Sequence, residues 1–223
     1  MTYTLWLGAK AYSSWSLRGW LLFEAFGLSA AENVAPLYSA EFERERAAHF
    51  PSRSVPTLVH EEGGERRLVW DSLAIAEYLA ERHPDAGHWP SDAAARAAAR
   101  SLAADMHSSF QALRSSMPMN LKRDYPGRGM SPAVQSDVDR LVALWRWTRE
   151  SFPSDGPFLF GARMTVPDVF YSPIATRLET YAVPLPEDAA AYSAALRAHP
   201  AMMKWREAAL AEPWIEPRYQ FEA

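Results

Sequence analysis

The chain has 223 residues, of which 48% are hydrophobic and 13% are aromatic. This composition permits a sizeable core and excludes global disorder. The formal net charge is −4, from 23 basic and 27 acidic residues. That balance argues against nucleic acid as a partner, because nucleic-acid-binding proteins carry a basic surplus on one face. There is no cysteine, which excludes a disulfide scaffold, a thiolate metal site and a cysteine nucleophile.

Targeting and metal-binding signals are also missing from the sequence. The six histidines form no His-x-x-x-His pair, so we expect no metal site. The first ten residues have too little apolar length for a signal peptide, and no apolar run reaches the roughly 18 residues of a membrane-spanning helix. We therefore expect a cytoplasmic protein without a membrane partner.

Strand and helix patterns alternate through the first half of the chain. Leu17, Trp20 and Leu21 have the i, i+3, i+4 spacing of a helix, and Gly63-Gly64 between two β-type runs indicates a hairpin. The predicted order is βαβαββα, an α/β thioredoxin-like arrangement. Its elements are strands over 3–7, 33–37, 57–60 and 67–70 and helices over 16–26, 40–50 and 71–83.

The second half contains only helical and loop patterns. Its predicted helices cover 93–117, 133–152, 166–182, 188–198 and 201–211. Thr165 and Asp168 have the spacing of a capping box at the start of one of them. We predict a thioredoxin-like domain over 1–84, a linker over 85–91 and an all-α helical domain over 92–223.

Two serines stand where the first predicted helix begins. Ser13 and Ser14 follow the first strand within the run Tyr12–Ser16, beside the positive end of a helix dipole. A hydroxyl there is able to donate to an incoming sulfur and favour its thiolate form. The alternative interpretation is that these serines only cap the helix, which is the commonest role of serine at this position.

Two further motifs frame the predicted hairpin. In Arg53-Ser54-Val55-Pro56, a cis bond before Pro56 would turn the Val55 backbone outward to pair with a bound peptide, although trans is the default for an isolated X-Pro bond. Asp71-Ser72 opens the third helix, whose N-terminus suits a carboxylate, with Asp71 beside it for an ammonium group. The alternative interpretation of Asp71-Ser72 is that the two residues only cap the N-terminus of the helix.

Together these motifs resemble the glutathione transferase family, most closely its zeta class and the bacterial relatives of that class. The matching stretches are Ser-Ser-Trp-Ser-Leu-Arg over 13–18, Pro-Ser-Arg-Ser-Val-Pro-Thr-Leu over 51–58 and Asp-Ser-Leu-Ala-Ile-Ala-Glu-Tyr-Leu over 71–79. The capping box and the preceding Leu159-Phe160-Gly161 match the family's second domain. The resemblance thus covers most of the chain.

The resemblance implies roles for individual residues in binding glutathione. Ser13 or Ser14 would activate the sulfur. Ser13 is favoured because it takes the first position of a thioredoxin-type motif, in which two residues separate the first position from the last, here Ser16. The remaining glutathione-binding positions would be Trp15, Arg53, Ser54, Val55, a cis Pro56, Asp71 and Ser72. Arg53 either reaches the glycyl carboxylate or lies in solvent.

A pocket for the second substrate is expected between the domains. Its candidates are Met106, Phe110, Arg114 and Met117, together with Trp15 and Met119, because Met and aromatic side chains suit varied apolar electrophiles. Most of them are equally explained as core residues. A structural salt bridge is the alternative for Arg114, and a packed or surface histidine is the expectation for His107.

The implied function is that of a glutathione S-transferase, a homodimer that uses glutathione as cosubstrate and needs no metal. Two alternatives stay open: a glutathione-dependent cis–trans isomerase of the maleylacetoacetate type, and a non-catalytic binding or regulatory protein on the same fold. A thioredoxin-type disulfide reductase is excluded, because the chain has no thiol.

Overall fold

A four-stranded mixed sheet forms the centre of the first half. In the computed structural model, which describes residues 1–221, the strand order is β2-β1-β3-β4. β1 is parallel to β2, whereas β3 is antiparallel to both β1 and β4. The bounds are Thr2–Gly8 for β1, Ala31–Ala35 for β2, Thr57–Glu62 for β3 and Glu65–Trp70 for β4.

Helices cover both faces of this sheet, as the side chains of β1 require. Leu5 and Leu7 are buried in the main core on one face, and Trp6 packs against Phe42 on the other with ring centroids 5.1 Å apart. The covering helices are α1 (Ser14–Glu24) and α3 (Ser72–Arg82) on the first face and α2 (Ala40–Ala48) on the second. The predicted βαβαββα order of a thioredoxin-like domain is confirmed.

The rest of the described chain is helical, as predicted. After a 3-10 turn at Pro84–Ala86, the helices are α4 (Ala93–Ser108), α5 (Gln111–Ser116), α6 (Pro132–Ser151), α7 (Val166–Thr180), α8 (Glu187–Ala198) and α9 (Pro200–Ala211). The last two residues of the predicted helical domain, 222 and 223, lie outside the described residues. In the part that the structure describes, none of the helices combines the length and apolar content needed to cross a bilayer.

The single helix predicted over 93–117 is wrong, because the chain turns between α4 and α5. Phe110 has a left-handed backbone (φ 61°) and buries its side chain in the core. The Arg114 guanidinium donates to the carbonyl oxygens of His107 (3.0 Å) and Ser109 (3.3 Å) at the break. Asp137 on α6 accepts from the Leu113 amide at 2.9 Å. These partners replace hydrogen bonds that a continuous helix would have made.

Helix α7 joins the two halves. All but one of its residues are buried, and it packs against α1, α4 and α8. The predicted capping box at its start is confirmed: Asp168 accepts from the Thr165 amide at 2.8 Å and from the Thr165 hydroxyl at 2.9 Å. Because α7 contacts α1 directly, its side chains reach the N-terminus of α1, where the candidate site lies.

Candidate functional site

A cleft of about 420 Å³ opens where the N-terminus of α1 meets the loop before β3, α5 and α7. Its volume lies within the usual range for small-molecule sites. Its lining from the first half includes Ser13, Ser14, Trp15, Arg53, Ser54 and Val55, and from the second half Gln111, Arg114, Met119, Arg177 and Tyr219. The cleft therefore brings together two of the three motifs singled out in the sequence.

Ser13 is the N-cap of α1, and its hydroxyl is already engaged. Its oxygen accepts from the Ser16 amide at 3.2 Å, and its O–H donates to the Ser16 hydroxyl oxygen at 2.7 Å. The Ser16 hydroxyl in turn accepts from the Gly8 amide at 2.9 Å, which ties the start of α1 to the end of β1. This buried network satisfies a helix N-terminus in the way that capping serines do.

Ser14, the first residue of α1, has a different environment. It is half-buried, and its hydroxyl oxygen accepts a 3.2 Å hydrogen bond from Arg177 Nη2. Because the oxygen acts as acceptor in that bond, the Ser14 proton stays free to be donated to a ligand. The site thus offers one serine hydroxyl committed to capping and another poised beside a cation.

Arg177 is held rigidly beneath the cleft. It is only 5% exposed, and it donates to the carbonyl oxygens of Met117 (2.8 Å) and Pro173 (3.0 Å) as well as to Ser14. Burial, with a smaller contribution from the nearby Arg114 charge, lowers the pKa of Arg177 to about 10. It stays protonated at neutral pH, so a positive charge sits one hydrogen bond from the Ser14 hydroxyl.

The loop before β3 presents Val55 to the cleft. The Val55–Pro56 bond is cis, as the family resemblance implies. Within residues 1–221, the Val55 N–H and C=O have no hydrogen-bond partner. Pro56 packs directly on α1 at Gly19, where an added Cβ would lie 2.5 Å from the proline Cβ. The missing side chain of Gly19 therefore lets this loop approach the start of the helix closely.

The cleft is cationic although the chain as a whole is acidic. Arg53, Arg114 and Arg177 line it, and none of its described lining residues is acidic. No carboxylate in the described part of the chain forms an ion pair with these three arginines. The alternative that Arg114 forms a structural salt bridge is thus wrong for the described residues, because its guanidinium donates to backbone carbonyls instead. Uncompensated guanidinium groups in a cleft attract anionic ligands.

Asp71 and Ser72 do not line the cleft. Asp71 caps α3 by accepting from the Leu73 amide at 2.8 Å, with an unusual positive φ of 72°. Its carboxylate Oδ2 lies 3.2 Å from His107 Nε2. Ser72 is fully buried, and its hydroxyl has no partner among the described residues. A residue with a strained backbone and a hydroxyl without a hydrogen-bond partner therefore share one helix N-terminus.

Trp15 and His107 stand between this helix terminus and the cleft. The rings of Trp15 and His107 meet edge to face with centroids 5.0 Å apart. The Arg18 and Arg114 guanidinium carbons lie 4.7 and 4.9 Å from the Trp15 ring centroid, at cation–π distance. One tryptophan and one histidine thus connect Ser14 on α1 to Asp71 on α3.

Three of the six candidates for the second-substrate pocket belong to the core instead. Met106, Phe110 and Met117 are buried and do not line the cleft, whereas Arg114 and Met119 do. The reason is that α4 packs against α7, so the apolar stripe that contains Met106 faces the interior. These three residues are therefore core residues, which is the alternative that the sequence had left open.

Sequence reasoning missed the cleft residues Arg177, Gln111 and Tyr219. Arg177 left one usable signal, since it is a charged residue in a helix that is otherwise almost wholly apolar or small, and buried charges are rarely without a role. Gln111 and Tyr219 left none. Their positions depend on the break at Phe110 and on the path of the C-terminal segment.

This architecture defines a class: a thioredoxin-like domain with a cis-proline loop, packed against an all-helical region. Residues 12–82 match the family model described as glutathione S-transferase, N-terminal domain. The chain therefore carries a glutathione S-transferase N-terminal domain, and its architecture is that of the glutathione transferases. Within residues 1–221, no group of three or more acidic or histidine side chains is arranged to hold a metal.

One curated relative covers about three quarters of the chain, and the similar solved structures cover nearly all of it. A probable maleylacetoacetate isomerase of Caenorhabditis elegans is 29% identical over 168 residues, covering 73% of this chain and 75% of the relative. A Burkholderia glutathione transferase homologue solved with bound glutathione superimposes with a TM-score of 0.69 at 23% identity, covering 94% and 98% of the two chains. Maleylacetoacetate isomerase from Anaeromyxobacter dehalogenans, solved with bound dicarboxyethyl glutathione and citrate, gives 0.65 at 24% identity, covering 92% and 94%.

Proposed function

We propose that this protein is a glutathione-dependent enzyme that holds the thiol of glutathione as a thiolate and adds it to a small electrophile, as a glutathione S-transferase does. The observation that carries the proposal is the Ser14 hydroxyl at the N-terminus of α1, hydrogen-bonded to the buried Arg177 guanidinium. A helix N-terminus and a nearby cation both lower the pKa of a thiol.

Ser14 is the residue that we propose to contact the sulfur. Its proton is free, whereas the Ser13 hydroxyl donates to Ser16. A sulfur that receives the Ser14 proton in a hydrogen bond would lie within the field of Arg177. Ser13 then serves by capping and orienting the first turn of α1. Sequence motifs alone favoured Ser13, and the hydrogen bonds favour its neighbour.

The rest of glutathione would extend in two directions from this point. The unpaired backbone of Val55 suits antiparallel pairing with the cysteinyl residue, beside Ser54 and above Pro56. The α3 terminus, with Asp71 and Ser72, suits the ammonium and carboxylate of the γ-glutamyl end. Arg53 suits the glycyl carboxylate. On this proposal the domain over residues 1–84 binds glutathione. Residues 85–91 form the linker between the domains, and the helical domain over 92–223 contributes the second-substrate pocket.

The cationic cleft supports a second candidate, the cis–trans isomerase of the maleylacetoacetate type. In that reaction glutathione adds to a double bond, a bond rotates and glutathione leaves. Its substrate is a dicarboxylate, which suits Arg114 and Arg177 in a cleft without lining carboxylates. Relatives named maleylacetoacetate isomerase add weight to this candidate.

Turnover assays separate the candidates. A general transferase should conjugate glutathione to an aryl halide, whereas the isomerase should prefer maleylacetoacetate. Replacing Arg114 with Gln tests the anionic subsite: it should raise the KM for the dicarboxylate and leave turnover of a neutral aryl halide nearly unchanged. Binding to glutathione-agarose without turnover of either substrate would favour a non-catalytic protein, and failure to bind would overturn the proposal.

We also propose a homodimer located in the cytoplasm, as the family resemblance implies. Analytical ultracentrifugation tests the homodimer directly. One chain has a mass of 25.1 kDa, and a species of twice that mass is expected at micromolar concentration. A monomer at every concentration would contradict it. Fractionation of cells that express the chain from its own promoter tests the cytoplasmic location.

A further inference from the structure

His107 occupies an unusual position beside the proposed γ-glutamyl site. It lies at the end of α4, and its Nε2 is 3.2 Å from Asp71 Oδ2. Its side chain is 24% exposed, against 44% for that of Asp71. Its other nitrogen, Nδ1, is buried with no partner among the described residues. The more accessible nitrogen of the imidazole therefore lies beside the carboxylate that would meet the ammonium of glutathione.

Charged groups from three neighbouring elements act on this imidazole. Asp71 on the α3 side favours its protonated form, whereas Arg18 on α1 and Arg114 on α5 oppose it. The remaining ring neighbours, Trp15 and Phe170, are uncharged. Burial is the largest influence, and despite Asp71 the net result is a pKa of His107 below its ordinary value of 6.5. At neutral pH His107 is therefore uncharged.

We infer that His107 is a positioning residue for glutathione: it steadies the Asp71 carboxylate when neutral and competes with the γ-glutamyl ammonium for that carboxylate when protonated. This inference rests on the proposed function. Protonation converts the 3.2 Å contact into an ion pair that neutralises Asp71, so the ammonium loses its counter-charge. Binding of glutathione then weakens as the pH falls through the titration of His107.

Calorimetric titration with S-methylglutathione tests the inference, because the blocked thiol removes sulfur ionisation from the measurement. For the wild-type protein, we expect the Kd to rise about three- to fivefold between pH 7.5 and pH 5.0, the range typical of a partly exposed ion pair. His107→Gln retains a polar side chain without a titrating group. Its Kd should change little over the same pH range.

An analogue without the ammonium group makes the test independent of any variant. Glutaryl-cysteinyl-glycine, S-methylated in the same way, should bind more weakly, and its affinity for the wild-type protein should not depend on pH in this window. Equal pH dependence for the two ligands, or for wild type and His107→Gln, would overturn the inference. Absence of binding by S-methylglutathione at pH 7.5 would instead overturn the proposed function.

Discussion

Arg177 in the last turn of α7 donates a 3.2 Å hydrogen bond to Ser14, the first residue of α1, across 163 positions of sequence. This bond joins the helical region to the thioredoxin-like domain at the point where the thiol of glutathione would lie. It couples a buried cation to a helix N-terminus. The proposed reactive centre therefore depends on the packing of α7 against α1 as much as on the local serine motif.

The two serines should respond differently to alanine substitution. Ser14→Ala removes the donor proposed for the sulfur, so we expect kcat/KM to fall about tenfold or more, the value of a hydrogen bond to a charged group. Ser13→Ala removes a helix cap instead, at a cost of about 1 kcal/mol of stability. Steady-state kinetics and thermal unfolding, measured on both variants, check the expectation.

Each serine serves as the control for the other. The Ser13→Ala variant should melt about 2–4 °C lower, as expected for a chain of this size, yet retain most of its turnover at a temperature where it is folded. The opposite pattern, with turnover lost only in Ser13→Ala, would restore Ser13 as the thiol contact. Negligible effects from both substitutions would remove the serine mechanism altogether.

Arg177 should set the acidity of bound glutathione. Arg177→Met removes the charge beside Ser14, and we expect the pKa of the bound thiol to rise by about one unit, equivalent to roughly 1.4 kcal/mol. Arg177→Lys retains the charge and should shift the pKa less. The pH dependence of the ultraviolet absorbance of the thiolate, recorded in the binary complex, measures the shift.

Stability has to be followed in the same Arg177 variants. The Met117 carbonyl loses its buried donor in Arg177→Met, which should cost about 1–3 kcal/mol. Arg114→Met removes another cleft cation that makes no hydrogen bond to Ser14, so it is the matched control. An identical rise in thiol pKa for Arg114→Met and Arg177→Met would mean that only the general field of the cleft matters.

Much of the fold followed from local patterns. The spacing of Leu17, Trp20 and Leu21 predicted α1, and Gly63-Gly64 predicted the β3–β4 hairpin, because each signal acts over a few residues. The break at Phe110 was missed because the apolar residues Met106, Phe110 and Leu113 keep helical spacing across it, although Ser108 and Ser109 just before it are weak helix formers. What stabilises the break is a long-range partner: Asp137, which accepts from the Leu113 amide.

The residues of the candidate site likewise divide into those with a local sequence signal and those placed by long-range packing. The serine motif and Val55-Pro56 were recognisable because their chemistry is local to a helix start and a strand start. Arg177 was missed, although its charge within a largely apolar helix was a usable signal, because its role arises from the contact between α7 and α1. The contact between His107 and Asp71 likewise joins two helix ends that are distant in sequence. Long-range packing decided which polar groups meet.

Gly19 should be required for the shape of the cis-proline loop. An alanine Cβ at this position would lie 2.5 Å from Pro56 Cβ and 2.6 Å from its Cγ, so the loop must move. We expect Gly19→Ala to destabilise the protein by about 1–3 kcal/mol, as overpacking does, despite the higher helix propensity of alanine. Calorimetry should also show weaker glutathione binding, because the displaced loop carries Val55.

Gly27→Ala provides a matched control for this displacement. Gly27 has a φ of +69°, and an alanine Cβ there would meet nothing within 4 Å, so the substitution costs about 1 kcal/mol through backbone conformation alone. It should lower stability without altering the Kd for glutathione. If both variants lose affinity equally, the effect of Gly19→Ala reflects general destabilisation rather than movement of the loop.

Asp168 should contribute more to stability than any other capping residue of the helical region. It accepts from the Thr165 and Leu159 amides (2.8 and 3.1 Å) and from the Tyr192 hydroxyl (2.8 Å), all in a fully buried setting. Asp168→Ala leaves these donors without an acceptor, so we expect a loss of at least about 3 kcal/mol. Thr165→Ala removes only the hydroxyl partner and should cost about 1 kcal/mol. Chemical denaturation of both variants measures the difference, and comparable losses would mean that Asp168 acts as an ordinary helix cap rather than as the centre of a buried network.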